Sequence, residues 1–265
     1  MLLRNPFTKW LYDARRSLLG WAIAIVAVGV MYASFWPTIQ TPEMARALEA
    51  YPEGLLEAFN YNDLTTAAGY LGSSVYGLLV PLLVAVFAIA AGTRAVAGDE
   101  DAGTLDLVLA HPVGRTRLAL HRFAAVALGV AVVVFLLGLA MIGLSTMVEF
   151  AEVGPAEFAA VSVHLALFGI AFGALAFAIG AATGRKGIAL AGSAGVAVLG
   201  YLANGVFPQV EGLAWARDLS PFHWYLGGSP LVNGLQASGV LLLLGAAVVL
   251  VAAGTWAFGR RDIAV

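Results

Sequence analysis

Asp99, Glu100, Asp101 and Asp106, together with His111 and His121, bring carboxylates and imidazoles into one short stretch of the chain. Such groups could ligate a metal or move protons. Their spacing opposes a metal site, because adjacent carboxylates at 99–101 point to different sides of any helix and no HExxH-like pair occurs. A structural task suits these acids better. Placed just ahead of a short helix starting near Gly103, they would favour its exposed amides and the positive end of its dipole. His164 stands near the start of an apolar stretch, where a lone histidine fits a hydrogen bond better than a proton relay. There is no cysteine, which excludes disulfides, thiol catalysis and zinc–thiolate sites. There is also no GxxxxGK[ST] loop, so the chain does not bind ATP by that route.

These groups interrupt a very apolar chain. Its 265 residues are 61% hydrophobic and 11% charged, with a mean hydropathy of +0.88, against about 45–50% apolar for soluble domains. Several uncharged windows are long enough for helices crossing a hydrocarbon layer of about 30 Å. We read an all-α polytopic membrane protein, a single transmembrane domain over 1–265 with six spans at about 17–36, 73–92, 123–147, 158–182, 188–206 and 238–258. Pro37 closes the first span and Pro81 should bend the second. No span centre carries Asp, Glu, Lys or Arg, which disfavours an ion-coupled carrier, a stand-alone channel and an intramembrane hydrolase. Residues 1–16 read as an amphipathic interfacial helix, with Phe7, Trp10 and Leu11 on its apolar side and Arg4, Lys9, Arg15 and Arg16 mostly elsewhere. The polar loop 38–72 carries the pattern of two short amphipathic helices.

Charge sets the orientation. Arg4, Lys9, Arg15, Arg16, Arg94, Arg115, Arg117, Arg122, Arg185, Lys186, Arg260 and Arg261 all fall on the side of the N-terminus, and only Arg46 and Arg217 on the other. Basic residues resist translocation, so both termini and the 93–122 loop are expected in the cytoplasm of a multi-pass cell-membrane protein. Gly169 and Gly173, Gly180 and Gly184, and Ala191 and Gly195 recur at four-residue spacing. Such pairs allow close helix approach, either inside the bundle or at a subunit seam.

The 93–122 loop reads as a short helix over Gly103–Ala110, with Leu105, Val108 and Leu109 on one face, ended by His111-Pro112 and followed by Arg115, Arg117 and Arg122 leading into the third span. That shape suits docking into a groove on a soluble partner. The segment GDEDAGTLDLVLAHPVGRTRLALHR resembles the loop between spans two and three of ABC-2-type transporter permeases, through Glu100, Asp101, Gly103, Thr104, Leu105, Asp106, Pro112, Arg115 and Arg117. Leu219-Ser220-Pro221-Phe222 and Asn233-Gly234 resemble a second segment of that family, ahead of the last span. His111 stands where a small polar residue is more usual.

The resemblance covers essentially the whole chain and implies the ABC-2 exporter fold. It also implies a half-transporter that pairs with a second copy of itself or a homologous permease and with two ABC ATPase subunits. ATP and Mg would then be bound on the ATPase, with no cofactor, metal or catalytic residue on this chain and no nucleic acid as partner. The loop helix, Leu109 included, would be the coupling helix, flanked by the N-terminal amphipathic helix. Cargo, amphiphilic or lipid-like, would move along an apolar seam between subunits. Phe207, Trp215, Phe222, Trp224 and Tyr225, in the outer loop 207–237, are gate candidates because aromatic rings prefer the membrane interface. A different reading is a membrane assembly or mechanotransmission factor that borrows an ATPase and carries no small molecule.

Overall fold

The computed structural model describes residues 5–39, 66–105 and 114–261. All regular structure among them is helical. Asn5 opens α1 (Pro6–Ala33), its side chain accepting from the Phe7 amide at 3.1 Å, and a short α2 (Trp36–Ile39) follows. The second long helix, α3 (Ala67–Arg94), starts under the Thr66 hydroxyl. Next come α4 (Ala97–Asp101), α5 (Arg115–Leu144), α6 (Pro155–Thr183) and α7 (Lys186–Gly205). Two 3-10 turns (Phe207–Gln209, Ala214–Leu219) and the short α8 (Pro221–Leu226) and α9 (Pro230–Asn233) lead to the last helix, α10 (Ala237–Arg260). Among the described residues six helices are long and apolar enough to cross a membrane: the α1 region, α3, α5, α6, α7 and α10.

The fourth of these, α6, is the hub, packing against α3, α5, α7 and α10, while α1 leans mainly on α5. Glycine permits the closest approaches. A Cβ on Gly92 of α3 would run into the Gly173 carbonyl of α6, and one on Gly169 would sit 2.7 Å from a Val84 methyl and 2.8 Å from a Val130 methyl. The pairs Gly169/Gly173 and Gly180/Gly184 therefore serve packing inside the bundle. Ala191 and Gly195 lie on an exposed face of α7, with nothing within 4 Å of a Cβ on Gly195.

Pro81 acts on the turns ahead of it. Leu71–Leu79 is a π-helical stretch, and the Val80 amide reaches back to the Val75 carbonyl. A proline lacks the N–H that a regular helix needs and crowds the carbonyl four residues back, so a wider turn relieves the clash. Within it, a Cβ on Gly77 would meet the Gly72 carbonyl oxygen at 2.8 Å.

The six long apolar helices overlap the six apolar windows, though their ends differ. The second begins at Ala67 rather than 73, the third begins at Arg115 and ends at Leu144 rather than 147, and the last runs to Arg260. One element differs in kind. Residues 6–16 are not a separate interfacial helix but the first three turns of α1, with no break before the apolar segment. Twenty-eight helical residues exceed what a layer of about 30 Å requires, so the basic, Trp-bearing turns extend beyond it. The helices expected within 38–72 fall largely at 40–65, outside the described residues.

Candidate functional site

The end of the bundle where α1 begins holds most of the described basic residues and is called here the basic end. The acids at 99–101 lie inside a short helix, α4, a few residues ahead of Leu105, where the chain is helical again. Gly103, at φ +65°, ends α4. The Gly103 amide bonds to the Glu100 carbonyl at 3.0 Å and the Thr104 amide to the Asp99 carbonyl at 2.8 Å. That is the double closure of a Schellman motif, which takes glycine at the left-handed position. Gly103 thus stops α4, and the chain is helical again at Leu105, where the helix expected near Gly103 begins; residues 106–113, which hold the rest of it, lie outside the described residues. Thr104 adds a bond from its hydroxyl to the Asp99 carbonyl at 3.2 Å, and Leu105 turns inward, 2% exposed.

The acids on α4 hold arginines from other helices. Asp99 pairs with Arg122 of α5 at 2.5 Å, and Glu100 grips Arg261, at the end of α10, through both carboxylate oxygens, one contact at 2.7 Å. Two arginines at the start of α5 also close helix ends. Arg122 donates to the Ala95 carbonyl just past α3, and Arg115 to the Arg261 carbonyl just past α10, each at 2.9 Å. Seven residues apart, they lie on similar sides of α5, and a cation at a helix C-terminus satisfies its unpaired carbonyls and its dipole. Gly184, left-handed at φ +68°, ends α6 beneath the same cluster, where a Cβ would sit 2.5 Å from Glu100 Oε1. Ala97 of α4 touches Gly180 in the same way, 3.2 Å from its would-be Cβ. Helices α3, α4, α5, α6 and α10 therefore converge on one ionic cluster.

Of the other coupling candidates, Asp101 and Arg117 are exposed, while Asp106, Leu109 and Pro112 lie outside the described residues. Phe7, Trp10 and Leu11 are half-buried on one side of α1; Trp10 lines a groove with Trp21, Phe87 and Arg94. Composition had not singled out Arg122, Arg261, Asp99 or Gly184 as partners. Their charges look like ordinary span flanks, and only the pairing across the fold gives them a role. Among the described residues no cluster of three or more metal-ligating side chains occurs.

The opposite end is aromatic. Ser220 caps α8 by accepting from the Phe222 amide at 3.1 Å, and its hydroxyl donates to the Gly200 carbonyl of α7 at 2.6 Å. This seats Phe222 edge-on against Phe168 of α6, ring centres 4.9 Å apart, and against Tyr201 at 5.5 Å. Tyr225 lies 5.2 Å from the same Phe168 ring. The gate candidates thus divide: Phe222 and Tyr225 are buried, Phe207 and Trp224 half-buried, and Trp215 exposed. Trp224 donates from its indole to the Asp218 carbonyl at 2.6 Å. His164 accepts from the Gln236 amide at 3.1 Å, fastening α6 to the start of α10, as a hydrogen-bonded bundle histidine would.

Among curated proteins none matches the chain. A protein family described as "multidrug efflux system permease Rv1217c, C-terminal domain" matches residues 3–259. With six membrane-capable helices, an all-helical fold and a match over nearly its whole length, the chain is an integral membrane protein that belongs to this efflux permease family.

Proposed function

We propose that the chain is the membrane half of an ABC-2-type exporter, working as a homodimer with two separate ATPase subunits that bind ATP and Mg. Both termini and the basic end face the cytoplasm. The loop between α4 and α5, with Glu100, Asp101, Gly103, Thr104, Leu105, Asp106, Leu109, Pro112, Arg115 and Arg117 in or beside it, receives the ATPase stroke. The observation that carries this reading is the footing of that loop. Residues on both sides of 106–113 are fixed by ion pairs and carbonyl caps to α3, α5 and α10, with α6 packed beneath. A loop on such a footing can pass displacement to several spans at once.

The family match supports efflux, and its description as one domain of a permease supports a unit that works beside another. The interior of the six-helix unit is filled by large side chains such as Tyr76, Phe158, Phe168 and Phe177. Cargo therefore travels along the outside of one unit, at a seam with a second. The exposed face of α7, with Gly187, Ala191 and Gly195, suits such a seam. Uncharged span centres favour an amphiphilic cargo.

Affinity purification from the native membrane in mild detergent tests the reading, with a stoichiometric ATPase as the expected companion. Arg117→Glu, on an exposed side chain with no bonded partner among the described residues, should release that ATPase while the permease stays inserted. Recovery of the permease without any ATPase, nucleotide present, would refute the exporter assignment.

A further inference from the structure

The loop at 102–114 is covalently continuous with α4 and α5 only, yet a transporter moved by it must also shift helices to which the chain does not directly connect it. The last helix is the extreme case, since 161 residues separate Glu100 from Arg261. We propose that Arg261 is the positioning residue that ties the last span to the base of this loop. The inference rests on the exporter reading for its consequence, but on geometry alone for the tie.

Arg261 engages both sides of the loop. Its guanidinium takes the two oxygens of Glu100 ahead of the loop, and its carbonyl accepts from Arg115 behind it. The link has direction, because a planar guanidinium against a carboxylate fixes orientation as well as distance, which a lysine ammonium does not. It is also shielded: the Glu100 side chain is 9% exposed and that of Arg261 21%. Gly184 leaves room for it, since any side chain there would collide with both partners. On the same face, Arg15 and Arg260 lie over the rings of Tyr12 and Trp256, and Lys9 pairs with Asp13 within its own helix. Those contacts stay local to one helix. The Arg261–Glu100 pair joins elements far apart in the chain.

The natural chain lacks cysteine, so spin labels can be placed cleanly at Ala102→Cys and Gly259→Cys in the full-length permease. The distance distribution should be narrow with Arg261 present and broad in Arg261→Ala. In the purified complex with its ATPase, Arg261→Ala should lower the ratio of drug-stimulated to basal hydrolysis, with ethidium as the probe, by roughly two- to thirty-fold. Arg261→Lys should recover only part of that ratio, and Glu100→Ala combined with Arg261→Ala should be no worse than Arg261→Ala alone.

An unchanged label distance in Arg261→Ala would overturn the tie. A variant that melts earlier but keeps the wild-type ratio would make Arg261 a structural staple and overturn its positioning role. Absence of any ATPase from the wild-type preparation would sink the exporter reading instead, and the label distances would still decide the tie.

Discussion

The two ends of the bundle solve the same problem with different chemistry. At each, helices leave the apolar layer and their terminal carbonyls or amides need partners. The basic end uses charge. Arg122 and Arg115 close helix ends, and Asp99 and Glu100 bind guanidinium groups from elsewhere in the fold. The aromatic end uses volume and one hydroxyl, with Phe168, Phe222 and Tyr225 interlocked and Ser220 joining α8 to α7. Ring packing holds a position by filling space and is indifferent to salt. Ion pairs set orientation between distant elements and can be broken and remade. The contrast supports an end that relays position and an end that closes the structure.

The sharpest way to break the comparison is Arg122→Ala. Arg122 is 8% exposed, and its loss leaves Asp99 and the Ala95 carbonyl without their partner. Asp99 keeps 34% of its side chain exposed, so the loss should cost about 3 kcal/mol, the low end of the range for a fully buried pair, and thermal unfolding in detergent should show it. Arg122→Met with Asp99→Asn, which removes both charges, should recover most of that loss. If the double variant is as unstable as Arg122→Ala, the basic end is held by packing after all.

Phe222→Ala should cost about 3 kcal/mol, near the lower bound for large aromatic truncations in a packed core. Its cost should not change between low and high salt, whereas that of Glu100→Ala should shrink slightly, because a largely shielded pair is screened by salt but far less than surface charges are. Equal salt dependence at the two ends would erase the distinction drawn between them. A smaller step is Ser220→Ala, which removes both the helix cap and the bond to Gly200. It should cost about 1–2 kcal/mol and, by hydrogen exchange, loosen α8 without affecting α4.

The sequence shows the spans plainly because a lipid-facing helix must be apolar over its whole length, and no distant contact can override that. The partners at the basic end were illegible for the opposite reason. Any arginine at a span end satisfies the charge rule, so nothing local separates Arg261, which grips Glu100, from Arg260, which lies over Trp256. Gly103 shows the same limit on a smaller scale: the sequence marks a helix near Leu105 but not the short helix α4 before it, and only the bonds back to Asp99 and Glu100 show that α4 closes at Gly103. The Ser-Pro-Phe segment was visible as a motif, but its attachment to Gly200 and Phe168 depends on how α6 and α7 meet.

The gentlest test is pH. His223 of α8 is partly buried, and burial lowers its pKa from the usual 6.5; the nearby charge of Arg217 acts the same way, and Asp218, 3.9 Å away, opposes both. An imidazole with a depressed folded pKa takes up its proton more readily in the unfolded chain. Stability from this group is therefore fully present above pH 6.5 and falls as the pH drops from there toward the folded value. Hydrogen exchange, corrected for its intrinsic pH dependence, should show α8 and the turn at Ala214–Leu219 loosening between pH 7 and 5.5. His223→Gln should abolish that change. If α8 protects equally at both pH values in the natural chain, proton uptake does not distinguish folded from unfolded His223, and the aromatic end is held by contacts that do not titrate in this range.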